Sequence, residues 1–229
     1  MAFGLVHYVY LMVALLMSVC MLLLMRRYFQ QKNKMTLVFT LFILSYLLVG
    51  FFYFGRGFFD LNSAQSILIY RAGMACTALT PAILAVFMFY PMMAERQGAV
   101  AKYIAVLLFV VWVLTLFSVS MLSLGTAIHS YSFDYFDVYY TTFGPIPYIG
   151  ILGIPIGIAL VDALAIIMMY LRESDYFYKM RAMFLLVGWL VVLAGQTLLL
   201  EASTLVLGAS LTTIGVLLMA ATILRRKPT

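Results

Sequence analysis

Seven long apolar runs divide the chain, and nearly all of its basic residues fall on one side of them. The runs lie near residues 3–25, 36–55, 67–93, 103–124, 146–171, 182–200 and 203–224. A hydrocarbon core about 30 Å thick takes roughly 20 helical residues to cross, and each run is about that long. Lipid offers no hydrogen-bond partner to an open backbone amide, so every crossing must be helical. Barrel strands would be about half as long and would alternate polar with apolar residues, which these runs do not. The expected fold is an all-α membrane protein, a single domain over 1–229 built as a seven-transmembrane-helix bundle. Composition agrees: 66% of residues are hydrophobic and 10% charged, against about 45–50% and 25% in soluble domains.

Charge placement gives an orientation. With the N-terminus outside, the inner side holds Arg26, Arg27, Lys32 and Lys34, then Arg96 and Lys102, then Arg172, Lys179 and Arg181, and finally Arg225, Arg226 and Lys227. Only Arg56 and Arg71 of the 14 basic residues fall outside. Such a bias in short loops sets topology, so the expected arrangement is N-terminus outside and C-terminus inside, in the plasma membrane. The first run lacks a basic leading region and a small-residue cleavage site, so it is expected to be retained. The net charge of +6 caps helices and forms no continuous basic face, so nucleic acid is not an expected partner.

Most connections are short. The exceptions are two outer ones, 56–66 and 125–145, the second of which carries Tyr131, Phe133, Tyr135, Phe136, Tyr139, Tyr140 and Phe143. Two readings fit: an aromatic belt at headgroup depth, on a short helix lying in that plane, or a lid over the bundle. Pro81 is expected to kink the third run. Gly150, Gly153, Pro155 and Gly157 are expected to loosen the start of the fifth. The last run carries Gly208, Ala209, Ser210, Thr212, Thr213 and Gly215, small residues that suit close packing within the bundle more than a dimer face. Prolines at 81, 91, 145, 147 and 155 have no counterparts in runs one, two, six and seven, which argues against an inverted-repeat transporter.

Asp162 is the one acid well inside an apolar run. A carboxyl at that depth is costly and marks a functional site by default. Three roles compete: a neutral group bonded within the bundle by Thr115, Ser118 or Gln196, an ion-pair partner, and the polar wall of a ligand or proton site. Gln196 and Glu201 near the end of the sixth run, and Arg71 near the start of the third, complete the candidate ligand-binding set. Arg56 and Asp60 read as interfacial charges that snorkel to water. Cys20 and Cys76 read as buried thiols rather than a disulfide or metal framework. His7 and His129 lack companions at ligand spacing, so no metal is expected, and no cofactor motif is present. No run contains a lysine, which removes the Schiff base a retinal protein needs. Acid–base catalysis needs a second positioned group, and none is evident, so the chain is not expected to be an enzyme.

Two stretches carry a family likeness. One runs Tyr70-Arg71-Ala72-Gly73, Leu79-Thr80-Pro81-Ala82-Ile83-Leu84, Phe87 and Tyr90-Pro91. The other runs Tyr170-Leu171-Arg172, Lys179-Met180-Arg181, Phe184-Leu185-Leu186-Val187-Gly188 and Ala221-Thr222-Ile223-Leu224-Arg225. Their order and spacing resemble the N-terminal seven-helix sensor region of membrane histidine kinases, here without the kinase domain. Where that family often has a histidine in the third helix, this chain reads Leu84-Ala85-Val86-Phe87. The resemblance implies a sensor for signal transduction that relays to a cytoplasmic partner and takes a small apolar ligand or lipid. The other expectation is an accessory subunit of a larger membrane complex, with Asp162 structural and the aromatic segment a protein contact.

Overall fold

The computed structural model describes residues 5–59, 63–95, 128–133, 136–141, 154–198 and 204–225. Among them are six helices: α1 Leu5–Gln31, α2 Lys34–Arg56, α3 Ala64–Glu95, α4 Ile154–Arg172, α5 Tyr176–Leu198 and α6 Leu205–Leu224. Among the described residues five helices, α1, α2, α3, α5 and α6, are long and apolar enough to cross a membrane. The apolar run at 103–124 lies outside the described residues.

Local chemistry sets the helix ends. α1 stops where Lys32 takes a left-handed conformation (φ 51°), its N–H donating to the Tyr28 carbonyl at 2.7 Å. One residue later the Asn33 side chain caps α2 by accepting the Met35 N–H at 2.8 Å. Ser63 serves α3 in the same way, its Oγ accepting the Ser66 N–H at 3.1 Å. Asp175 Oδ1 accepts the Phe177 N–H at 2.9 Å, which starts α5 six residues before the apolar run begins. Pro155 falls in the first turn of α4, where a missing N–H breaks no helical bond. It opens the helix there. α3 runs on past Pro81.

The helices touch in cyclic order: each packs on the next and α6 returns to α1. α2 also reaches α5 across the middle, with the Phe42 and Trp189 rings 6.5 Å apart and edge-on. One core results, with Met17, Phe39, Phe42, Leu84, Ile166, Trp189 and Met219 buried. The outside is just as apolar. Met12, Leu15, Val19 and Leu22 are exposed along α1, and Ile156, Leu160, Leu164, Ile167 and Leu171 along α4. Helices apolar on both faces belong in lipid. The last run packs as its small residues suggest. A Cβ at Gly195 would lie 2.6 Å from the Thr212 nitrogen and 2.7 Å from the Gly208 carbonyl, and one at Gly188 would lie 2.9 Å from the Gly215 carbonyl.

The aromatic segment corrects the expected short interfacial helix. It forms an antiparallel hairpin, β1 Ile128–Phe133 with β2 Phe136–Thr141, and β2 lies against α1. The register pairs His129 with Tyr140, Tyr131 with Val138 and Phe133 with Phe136.

Candidate ligand-binding site

Along α4 the buried residues are Ala159, Asp162, Ala163, Ala165 and Ile166, of which Ala159, Asp162, Ala163 and Ile166 follow the i, i+3, i+4, i+7 spacing of a helical stripe. That stripe faces α3 and α5. Asp162 is 0% exposed, and neither carboxyl oxygen has a hydrogen-bond partner among the described residues. One turn away the Trp189 indole N–H of α5 donates to the Ala159 carbonyl at 2.9 Å. Trp189 is itself 2% exposed, so an indole normally found at the membrane surface is held here in the core. Asp162 lies ten residues from the α4 end at Arg172, about 15 Å along the axis, which is roughly half a membrane away.

Gln196 bonds elsewhere: its side chain is within hydrogen-bond reach of Tyr46 on α2, and its Nε2 lies 3.5 Å from Thr212 Oγ1 on α6. It ties three helices together and forms no hydrogen bond to Asp162. Thr115 and Ser118, the other partners considered for Asp162, lie outside the described residues, as does Glu201. Arg71 stands in the first turns of α3 with its Nε buried and without a hydrogen-bond partner among the described residues.

Arg56 departs from expectation. It does not snorkel; it is 5% exposed at the end of α2. Its Nε donates to Ser66 Oγ at 3.1 Å, and its guanidinium lies 4.7 Å from the Tyr70 ring centre. Tyr53 stacks 5.9 Å from Tyr70 and 4.8 Å from Tyr10, and it reaches Thr77 by a side-chain hydrogen bond. A cation on an aromatic face with a hydroxyl at its Nε stays attractive without solvent. Asp60 lies outside the described residues.

At mid-depth of the α2–α3 seam, Ser45 and Thr80 hydroxyls meet at 3.0 Å. Each also reaches a carbonyl of its own helix, Phe42 at 2.7 Å and Cys76 at 2.9 Å. Cys20 and Cys76 are free thiols, the first buried and the second partly so. His7 is buried at 2% exposure. Among the described residues no three potential metal-ligating side chains converge.

Sequence reasoning passed over Trp189, Tyr46 and the Tyr10–Tyr53–Tyr70 stack. Trp189 did carry a signal: it is one of two tryptophans in the chain and sits mid-run, away from the interface that tryptophan favours. The tyrosines gave none, because tyrosine near a helix end reads equally well as belt.

No family model matches the chain, and no curated protein matches it. Its class rests on the fold and surface alone: a polytopic helical membrane protein with a carboxyl held inside its bundle.

Proposed function

We propose that the chain is a non-catalytic sensory module of the plasma membrane, with seven spans, an outer N-terminus and a cytoplasmic partner to which it relays. The observation that carries this reading is Asp162, fully buried with both oxygens lacking a hydrogen-bond partner among the described residues. A carboxyl so placed costs stability, and a ligand that donates to it offsets that cost. The chemistry around it, Ala159, Ile166 and Trp189, suits a small apolar molecule or lipid bearing an amine or hydroxyl. Arg71, Gln196 and Glu201 are the further residues proposed to shape access to that ligand. The basic ends of α1, α5 and α6 support the inner placement of the C-terminus and a cytoplasmic partner docked there. The likeness to histidine kinase sensor regions points the same way.

Purification in mild detergent, followed by mass spectrometry of everything retained, tests the reading. A lone chain that carries a small molecule, and melts lower once stripped of it, supports a receptor. Membrane proteins retained at fixed ratio, with no small molecule, would instead make the chain a subunit of a larger complex.

A further inference from the structure

The interior of the bundle changes character at the depth of Asp162. Toward the end where α1 and α3 begin, side chains bond from helix to helix. Ser45 meets Thr80 at 3.0 Å, Gln196 reaches Tyr46 and Thr212, Tyr53 reaches Thr77, and Arg56 donates to Ser66. Toward the opposite end Leu24, Phe39, Phe87, Ile166, Leu185 and Ile223 fill the space between the helices. Buried Thr40 and Thr222 there donate to carbonyls of their own helices at 2.7 Å. Arg181 reaches the Ile223 carbonyl at the rim of that end.

Asp162 stands at the boundary. The Ala159 carbonyl points along α4 toward Ala163, so the Trp189 indole that bonds it meets the turn that carries Asp162. The Trp189 ring meets Phe42 edge-on, and the Phe42 carbonyl accepts the Ser45 hydroxyl at 2.7 Å. The Ser45–Thr80 pair therefore begins about one helical turn from that depth, on the side where α1 begins. On the other side the Phe39 and Phe87 rings lie 5.2 Å apart and bridge α2 and α3.

α4 packs on α3 and α5. Besides Asp162, the titratable and charged residues of these helices are Tyr70, Arg71, Cys76, Tyr90 and Glu95 on α3, Tyr170 and Arg172 on α4, and Tyr176, Tyr178, Lys179 and Arg181 on α5. No cation among them shares the depth of Asp162. Along their helices Arg172 is about 15 Å from Asp162, Arg181 about 12 Å from Trp189, and Arg71 about 13 Å from Thr80. A carboxylate with neither donor nor cation beside it is the costliest state the group can take, and one proton removes most of that cost. A proton needs no cavity. Hydroxyls and amides both donate and accept, so they can hand a proton on, whereas aliphatic and phenyl side chains cannot.

We propose that Asp162 is a proton-binding site served from the end of the bundle where α1 begins, by way of Ser45, Thr80 and Gln196, and sealed from the opposite end by the apolar half. Loading forms one O–H bond at a carboxylate oxygen; a hydronium ion gives up the proton and leaves as water. With the orientation proposed above, the site follows the acidity outside. The proposal deepens the receptor reading and rests on it for the role of Asp162, but not on any retained molecule.

The test uses the full chain in nanodiscs. Infrared difference spectra between high and low pH are expected to show a protonated-carboxyl band that Asp162→Asn removes. Stopped-flow pH jumps read by Trp189 fluorescence then locate the route, with Trp112→Phe leaving Trp189 as the chain's one tryptophan. Thr80→Val and Gln196→Leu, each in the polar half, should slow the response severalfold. Thr40→Val, a matched change in the apolar half, should leave its rate unchanged. A spectrum with no band dependent on Asp162 overturns the proposal; if the parent still retains a small molecule that the Asp162 variants lose, the receptor reading stands without it. Equal slowing by Thr40→Val and Thr80→Val, or no slowing by any of the three, overturns the one-sided route.

Discussion

Helices α5 and α6 meet through glycine, whereas α4 meets the bundle through small apolar side chains, a buried acid and one indole hydrogen bond. At Gly188, Gly195 and Gly215 the backbones approach until no Cβ fits, and van der Waals contact holds the pair. α4 presents alanines and one buried acid, and its named polar tie is the Trp189 N–H on the Ala159 carbonyl. The first arrangement tolerates no change and offers no chemistry. The second gives up some stability to keep a carboxyl where lipid and water are both excluded. A closely packed pair beside a helix whose buried acid has no hydrogen-bond partner among the described residues is the arrangement on which the proposed receptor reading rests.

The comparison is broken most easily at the glycines. Gly195→Ala must displace Thr212 or the α6 backbone, and is expected to cost about 3 kcal/mol by overpacking. Gly55→Ala, with nothing within 4 Å of its Cβ, should be neutral or stabilise by up to ~1 kcal/mol through helix propensity. Reversible unfolding in mixed micelles reads both. Equal effects would mean that the α5–α6 contact is not the rigid one.

Asp162→Leu should move the other way. Removing an unanswered buried carboxyl is expected to stabilise the ligand-free protein by about 1–3 kcal/mol, seen as a higher melting temperature. A loss of similar size would mean that the carboxyl is satisfied in the folded protein and is structural. Trp189→Phe keeps the ring and deletes the donor to Ala159, so a loss of about 1 kcal/mol is expected by the same assay. The smallest effect belongs to the α1–α2 turn. Lys32→Gly relieves a left-handed residue and gives up exposed contacts to Tyr28 and Phe29, for a net gain of roughly 0.5 kcal/mol.

Much of this architecture could be read in advance because membranes make length and hydropathy sufficient. Asp162 also stood out, since one acid in an apolar run has no ordinary explanation. Three features were hidden for different reasons. The aromatic hairpin follows a period-two alternation in His129-Ser130-Tyr131-Ser132-Phe133, masked by an expectation of helices throughout. The burial of Arg56 depends on Tyr70 and Ser66 arriving from another helix, and no local pattern reveals that. The pairing of Gln196 with Tyr46 and Thr212 rather than Asp162 is a matter of helix rotation, which apolar sequences specify poorly.

The decisive measurement compares the small molecules retained by the parent protein, Asp162→Asn and Asp162→Leu after identical mild purification. A receptor built around this carboxyl predicts one species bound by the parent and absent from both variants, which still fold and melt cooperatively. The same molecules in all three proteins, or none in any, would contradict it and leave Asp162 as part of the packing alone.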